Sequence, residues 1–262
     1  MDIGPSPFSI WIRQNLKGAY SGLIAQDIDY IVKTPNKSFV VIEEKIYKGA
    51  RTSPAQAIIY KMLSDILKTD SSFEGCHKIT VQDNGQLFVN NAEKMLLDNF
   101  INNPLQIYNN GYWFEYIIKN NWKYLWDGKG TPFVQKTQQE KTFMRQSKLE
   151  KLLKNANLSF IAIDWIIVNY CTGYFIILSE NEDINTNILK MIDEKFTNYN
   201  KSNNIVKNPK SLAEYKYLGM YNLKYNNNLT EFEINDEKLN YSQVIKMLNL
   251  DTDEIENLRV LK

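Results

Sequence analysis

Residues Gln26 to Lys45 read QDIDYIVKTPNKSFVVIEEK: two acids, a turn, four apolar residues in a row and then Glu-Glu-Lys. A strand buried on both faces should continue apolar, so three charges straight after Phe39-Val40-Val41-Ile42 need a reason. Thr34-Pro35-Asn36-Lys37 is turn chemistry and joins two predicted strands, Ala25 to Lys33 and Ser38 to Ile46, into a hairpin. Side chains alternate along a strand. Glu43 and Lys45 therefore share one face while Glu44 takes the other, and Asp27 and Asp29 share a face of their own strand. With the turn at Pro35 and Asn36, carboxylates and an ammonium converge at the far end of the pair. Carboxylates held that close resist ionising together unless a cation offsets them.

Outward from this hairpin, Ser6-Pro7 and Ser53-Pro54 each give a cap followed by a first-turn proline. The first predicts a helix reaching Gly18. The second predicts one ending near Lys68, with Ile58, Ile59, Met62, Leu63 and Ile66 on its apolar face. Lys78 to Val81 and Gln86 to Val89 alternate around Asp83-Asn84-Gly85 as a second hairpin, and a helix is predicted from Ala92 to Ile101. This order fits an α/β fold with a mixed central sheet flanked by helices.

Aromatics crowd Tyr108 to Phe133 and close the wall of a first domain, residues 1–135, before a Gln-rich connector from Gln135 to Gln146. Residues 136–262 are expected to form an α+β domain for substrate recognition or dimerisation. Its strands are predicted at Leu158 to Val168, Gly173 to Ser179, Tyr215 to Tyr225 and Leu229 to Ile234. Helices are predicted from Ile184 to Tyr199 and from Asn240 onward. No internal repeat is read from the sequence.

The 262 residues are 44% hydrophobic and 23% charged, a globular composition with a net charge of +1. That charge gives no whole-molecule attraction to a polyanion, but its distribution is uneven. Lys33 to Lys68 holds seven bases against three acids, Lys136 to Lys154 six against two, and Glu231 to the end eight acids against four bases. Cys76 and Cys171 are too few for a disulfide framework, a four-cysteine zinc site or an iron-sulfur cluster. The absence of a long apolar run or a signal layout leads to an expected cytoplasmic location with no membrane contact.

Acid, any residue, Lys occurs five times in the chain, at Glu43, Asp127, Asp193, Glu214 and Asp236, so context has to select among the copies. Only the first ends an apolar strand with an acid on the preceding strand. Mg2+ takes one or two carboxylates together with waters and phosphate oxygens, and Mn2+ can substitute. The chemistry that uses such a cluster is phosphodiester hydrolysis, with Lys45 stabilising charge in the transition state.

Asp29 followed by Glu43-Glu44-Lys45 resembles the PD-(D/E)XK nuclease superfamily, which includes restriction endonucleases, junction resolvases and RecB-type exonucleases. Gln56-Ala57-Ile58-Ile59-Tyr60 is similar to the Q-x-x-x-Y element of the RecB-type branch. The resemblance covers roughly residues 5 to 90. It implies a restriction endonuclease-like core in which Asp29 and Glu43 are metal ligands, Glu44 lends its backbone carbonyl, Lys45 is catalytic, and Gln56 and Tyr60 position water or DNA phosphate. Ile28 stands where the family has proline, Asp27 rivals Asp29, and the upstream histidine is missing, since His77 follows the motif.

The function expected is a Mg2+-dependent DNA endonuclease, with a recombination or repair exonuclease or Holliday junction resolvase as one alternative. A non-catalytic nucleic-acid-binding protein on the same scaffold is the other. Family analogy adds a homodimer, because cutting both strands with one site per chain needs a symmetric pair. Lys48 and Arg51 are candidate DNA contacts beside Tyr60, against the plainer reading of a solvated loop. Asp29, Glu43 and Lys45 have a plain reading too, a surface hairpin with a cross-strand salt bridge. The Tyr108 to Trp126 aromatics either pack a core or stack on bases, and His77 beside Cys76 reads as structural.

Overall fold

The computed structural model describes residues 23–47, 50, 52–90, 93–110, 112–121, 147–169, 172–180, 187–208, 212–225, 232–234 and 237–238. The predicted hairpin forms. Strands β1 (Leu23–Lys33) and β2 (Phe39–Glu44) run antiparallel, with Lys33 opposite Phe39 and Tyr30 opposite Ile42. Its turn closes through Thr34 N–H to Ser38 O at 2.9 Å and Lys37 N–H to Thr34 O at 3.1 Å.

Ser53 and Gln56 form a reciprocal capping box at the start of α1 (Pro54–Leu67), with proline in the first turn. Its buried face, including Ala57, Tyr60, Met62 and Leu63, packs with Phe39 and Val41 on one side of the sheet. Val40 and Ile42 join a second cluster on the other side with Phe100, Leu149 and Leu153. Strand β2 is thus covered on both faces, which is why its sequence is continuously apolar.

Strand β3 (Phe73–Val81) lies parallel to β2 and starts five residues before the predicted Lys78. Gly75, at φ +105°, breaks the apolar pattern there because the Tyr108 ring lies where a Cβ would sit, with its nearest atom at 2.3 Å. The hairpin to β4 (Leu87–Val89) forms as predicted. The helix predicted from Ala92 is corrected: β5 (Glu93–Met95) comes first and pairs with β4, and α2 (Leu97–Asn102) follows. The β4 ladder satisfies the backbone of β5, and this overrides local propensity.

Helices α3 (Pro104–Asn110) and α4 (Trp113–Asn121) carry the aromatic segment. Tyr108, Trp113 and Phe114 are buried in the core, while Tyr112 and Tyr116 are exposed. The helices predicted at Ser6 and Asn240, the later aromatics Trp122 to Phe133 and the connector at residues 135–146 lie outside the described residues.

The second half supplies α5 (Lys148–Asn155), β6 (Phe160–Asn169), β7 (Tyr174–Ser179), α6 (Asn187–Lys201), β8 (Lys216–Tyr225), β9 (Phe232–Ile234) and β10 (Glu237–Lys238). The ten strands among the described residues form one mixed sheet in the order β10-β9-β8-β7-β6-β1-β2-β3-β4-β5, flanked by helices. The elements before and after the predicted boundary at residue 135 share that sheet through the antiparallel pair β1 and β6.

The strand order reads outward from β1 and β6 in the same sense on both sides, which corrects the reading of a chain without a repeat. In each half a hairpin is followed by a helix, a strand parallel to the hairpin's second strand, and two short antiparallel strands. The registers coincide. Tyr30 faces Ile42 and Val32 faces Val40 in one half; Trp165 faces Leu178 and Ile167 faces Ile176 in the other. Phe39 and Val41 oppose Phe73 and Cys76 across an irregularity, as Phe175 and Ile177 oppose Tyr217 and Met220 across another. Gly75 and Gly219, both at positive φ, sit at these two irregularities.

The halves meet around a two-fold relation. Ile28 pairs with Ile163, and the pairs on either side mirror one another: Gln26 with Ile166 against Ile31 with Ile161, and Ala25 with Ile167 against Val32 with Phe160. Local similarity survives in Ile28-Asp29-Tyr30-Ile31-Val32 against Ile163-Asp164-Trp165-Ile166-Ile167. The second strands compare as Phe39-Val40-Val41-Ile42-Glu43-Glu44 against Phe175-Ile176-Ile177-Leu178-Ser179-Glu180.

Candidate active site

The end of β2 and the first turns of α1 converge on Glu43. The residue is 2% exposed. Oε1 accepts hydrogen bonds from Lys45 Nζ and, at 2.9 Å, from Gln56 Nε2; Oε2 accepts from the Tyr60 hydroxyl at 2.7 Å. Gln56 Oε1 in turn accepts from Lys45 at 3.3 Å and from Ser53 N–H at 3.3 Å, so the same side chain caps the helix and fixes the lysine. Gln56 and Tyr60 stand one helical turn apart, which presents both to a single strand end.

Three donors stabilise a buried charge that would otherwise cost several kcal/mol, on the order expected for an unpaired carboxylate. They fill Oε1 and leave Oε2 with an unused acceptor position. The reading of Tyr60 as a DNA contact is corrected, because the residue has no solvent exposure and its hydroxyl is committed to Glu43 and, at 3.3 Å, to Ile42 O. Burial, then the Glu43 carboxylate, holds the Tyr60 phenol well above its ordinary range, so it remains a proton donor.

Asp29 lies on the neighbouring strand, where its Oδ2 accepts the Glu44 main-chain N–H at 2.7 Å. Burial, then the carboxylates of Glu43 and Asp27, push Asp29 well above the usual carboxylate range, against the pull of Glu44 N–H and Lys45. Asp27 is pushed up by the protein packed around it and by Glu43, although its side chain reaches solvent at the floor of a cleft. Asp29 and Asp27 both belong to the cluster, as the sequence alternation requires.

The Glu44 side chain takes the opposite face. It accepts from the Ser147 hydroxyl and, at 3.1 Å, from Leu149 N–H, and so caps α5. Lys48 and Arg51 lie outside the described residues.

A cleft of about 440 Å3 opens over this cluster, lined by Asp27, Asp29 and Lys45 from the first half and by Asp164, Trp165 and Glu180 from the second. Sequence reasoning missed Asp164. Its Oδ2 accepts from Glu180 N–H at 2.7 Å and from the Ser179 hydroxyl at 3.2 Å, and burial raises its carboxyl. The signal was present, since Asp164 is an acid interrupting an apolar strand, as Glu43 is. Lys78, opposite Glu43 on β3, was missed as well. It donates to Ala50 O at 3.1 Å, and burial together with Lys45 pulls its amine down.

Among the described residues no three His, Cys, Asp or Glu side chains are arranged to hold a metal ion. What the site offers is a pair of acids, Glu43 and Asp29, the second in surroundings that disfavour its negative charge. Two carboxylates are within the number Mg2+ uses when water and phosphate oxygens complete its shell, and a cation there would lower the Asp29 carboxyl that burial now raises. The donor set therefore fits a hard divalent cation. His77 and Cys76 do not join it. Both are buried, with His77 bonded to Glu74 O at 3.0 Å.

No helix among the described residues is long and apolar enough to cross a membrane. No family model matches the chain and no solved structure matches it. It is similar to two uncharacterised proteins of Archaeoglobus fulgidus. One is 38% identical over 139 residues, which cover 46% of this chain and 90% of the relative; the other is 30% identical over 133 residues, covering 47% and 92%. Nearly the whole of each relative thus aligns with a little under half of this chain.

Proposed function

The chain belongs to the family of these two Archaeoglobus fulgidus proteins, and from its own site we propose that it is a Mg2+-dependent nuclease hydrolysing phosphodiester bonds in DNA. The observation that carries this reading is the buried Glu43 held by Lys45, Gln56 and Tyr60 beside the raised Asp29. It unites the acid, acid, lysine and glutamine that resemble the PD-(D/E)XK superfamily. The hairpin, crossover helix and parallel strand around them are consistent with a restriction endonuclease-like core.

Asp29 and Glu43 would hold the cation, with Glu44 contributing its backbone carbonyl. Bound there, the cation supplies Lewis-acid polarisation of the phosphoryl group. Lys45 places a positive charge at the cleft, where the phosphoryl oxygens gain negative charge as water adds to phosphorus and one bridging P–O bond breaks. Gln56 keeps the ammonium in place, and Tyr60 orients Glu43 from below. Lys48 and Arg51, which follow β2 in the sequence, are the proposed phosphate contacts.

The test is incubation of supercoiled, linear and branched DNA with Mg2+ or Mn2+ and with each of Glu43→Ala and Lys45→Ala. Metal-dependent cutting that both substitutions abolish is expected; full activity in both variants would overturn the assignment. Cutting confined to ends or junctions would select the exonuclease or resolvase reading. Binding without cutting would select a non-catalytic binder.

A further inference from the structure

The two halves of the sheet are equivalent in register, but their chemistry is not. Position by position, Asp164 stands for Asp29, Ser179 for Glu43 and Glu180 for Glu44. The equivalence extends to hydrogen bonds: Glu44 N–H reaches Asp29 Oδ2 at 2.7 Å, and Glu180 N–H reaches Asp164 Oδ2 at 2.7 Å. Where Glu43 would be expected in the second half, the Ser179 hydroxyl donates to Asp164 instead of adding a second carboxylate. The sequence then continues with Asn181 where the first half has Lys45.

The helices differ in the same way. Tyr60-Lys61-Met62-Leu63 on α1 matches Leu189-Lys190-Met191-Ile192 on α6, both fully buried at their first position. A leucine fills the place of the tyrosine whose hydroxyl holds Glu43. The second half has therefore lost the acid, the lysine and the acid's buried donor together, while keeping the aspartate, the strand register and the glycine irregularity. Its Asp164, Trp165 and Glu180 still line the common cleft.

We infer that this chain is a covalently joined pair of equivalent units with one cutting centre, and that it acts as a monomer breaking one strand of a duplex per encounter. The inference rests on the proposed nuclease reading for its chemistry and on the registers for its architecture. A homodimer was expected so that two sites could face two strands; here the β1 edge through which a like unit would pair is already occupied by β6. Nine-tenths or more of each relative aligns with a little under half of this chain, so each relative is about the size of one unit. In the single step water's oxygen bonds to phosphorus and one bridging P–O bond breaks. A proton leaves to solvent and the departing oxygen takes one up, which produces one phosphate end and one hydroxyl end.

The test joins two measurements on the full chain. Light scattering at micromolar concentration is expected to give the 30.7 kDa monomer, and supercoiled plasmid with Mg2+ is expected to open to nicked circles before any linear form accumulates. A stable dimer, or linear plasmid arising as fast as the nicked form, would overturn the inference. Absence of cutting with Mg2+ and Mn2+ would remove the nuclease reading and the single-strand product. The mass would still judge the joined pair, a monomer upholding it and a dimer rejecting it.

Discussion

Tyr60 donates its hydroxyl proton to Glu43 at 2.7 Å from a position with no solvent exposure, so the acid at the end of β2 is oriented from inside the core. Tyr60→Phe keeps the ring packing and removes only this donor. A stability loss of about 1–3 kcal/mol is expected, the range for a buried polar partner left unsatisfied. Cutting should fall about tenfold or more, mostly in kcat, because Tyr60 touches Glu43 and not the substrate. Chemical denaturation and steady-state kinetics check the two effects separately.

Glu44 separates its backbone from its side chain in role. Glu44→Ala removes the acceptor of Leu149 N–H at the start of α5, while Ser147 still caps Glu150 N–H, and should cost about 1 kcal/mol. It leaves the main-chain N–H to Asp29 intact, so metal-dependent cutting should persist, in contrast to Glu43→Ala. Loss of cutting in a folded Glu44→Ala protein would show that its side chain belongs to the cation site.

Divalent metal should stabilise the fold through Asp29. At a Mg2+ concentration about 100 times its dissociation constant, the gain expected from binding to the native state alone is about 2.7 kcal/mol, reversible with chelator. Differential scanning calorimetry of wild type and Asp29→Asn, each with and without Mg2+, measures this. The variant should show little or no rise in Tm.

His77 gives a pH dependence whose sign follows from burial. Loss of solvent holds its imidazole neutral and lowers its pKa from 6.5 to about 4, against a hydrogen bond to Glu74 O. Below 6.5 the unfolded chain takes up a proton that the native state refuses until about 4, so His77's contribution is complete above 6.5 and is lost as pH falls through that window. The loss is about 3 kcal/mol at its largest. The raised carboxyls of Asp27, Asp29 and Asp164 act in the opposite direction, favouring the native state as pH falls. Comparing wild type with His77→Gln by urea unfolding between pH 4 and 7 isolates the histidine; the variant should lose less stability on acidification.

Local rules reached a definite part of this protein. The Thr34 to Lys37 turn, the Ser53 cap and strand alternation placed Glu43, Lys45 and Gln56 at one corner because each acts over a few residues. The register of a short hairpin follows from its turn, so Asp29 was legible as well. The early start of β3 was hidden because Gly75 is chosen for its contact with Tyr108, a residue of a later helix. The helix predicted at Ala92 failed for a related reason, since pairing with β4 decided that segment.

The sequence by itself determined the hairpin, the capped helix and the residue types at its mouth, all through interactions between near neighbours. Tertiary structure alone decided that Tyr60 is buried beneath Glu43, that Asp164 reaches the same cleft, and that Ser179 replaces an acid across a two-fold relation. Those facts depend on β1 pairing with β6, whose central partners Ile28 and Ile163 are far apart in the chain. Side-chain periodicity carries no information over that distance, and the burial of a polar group is set by what packs on it.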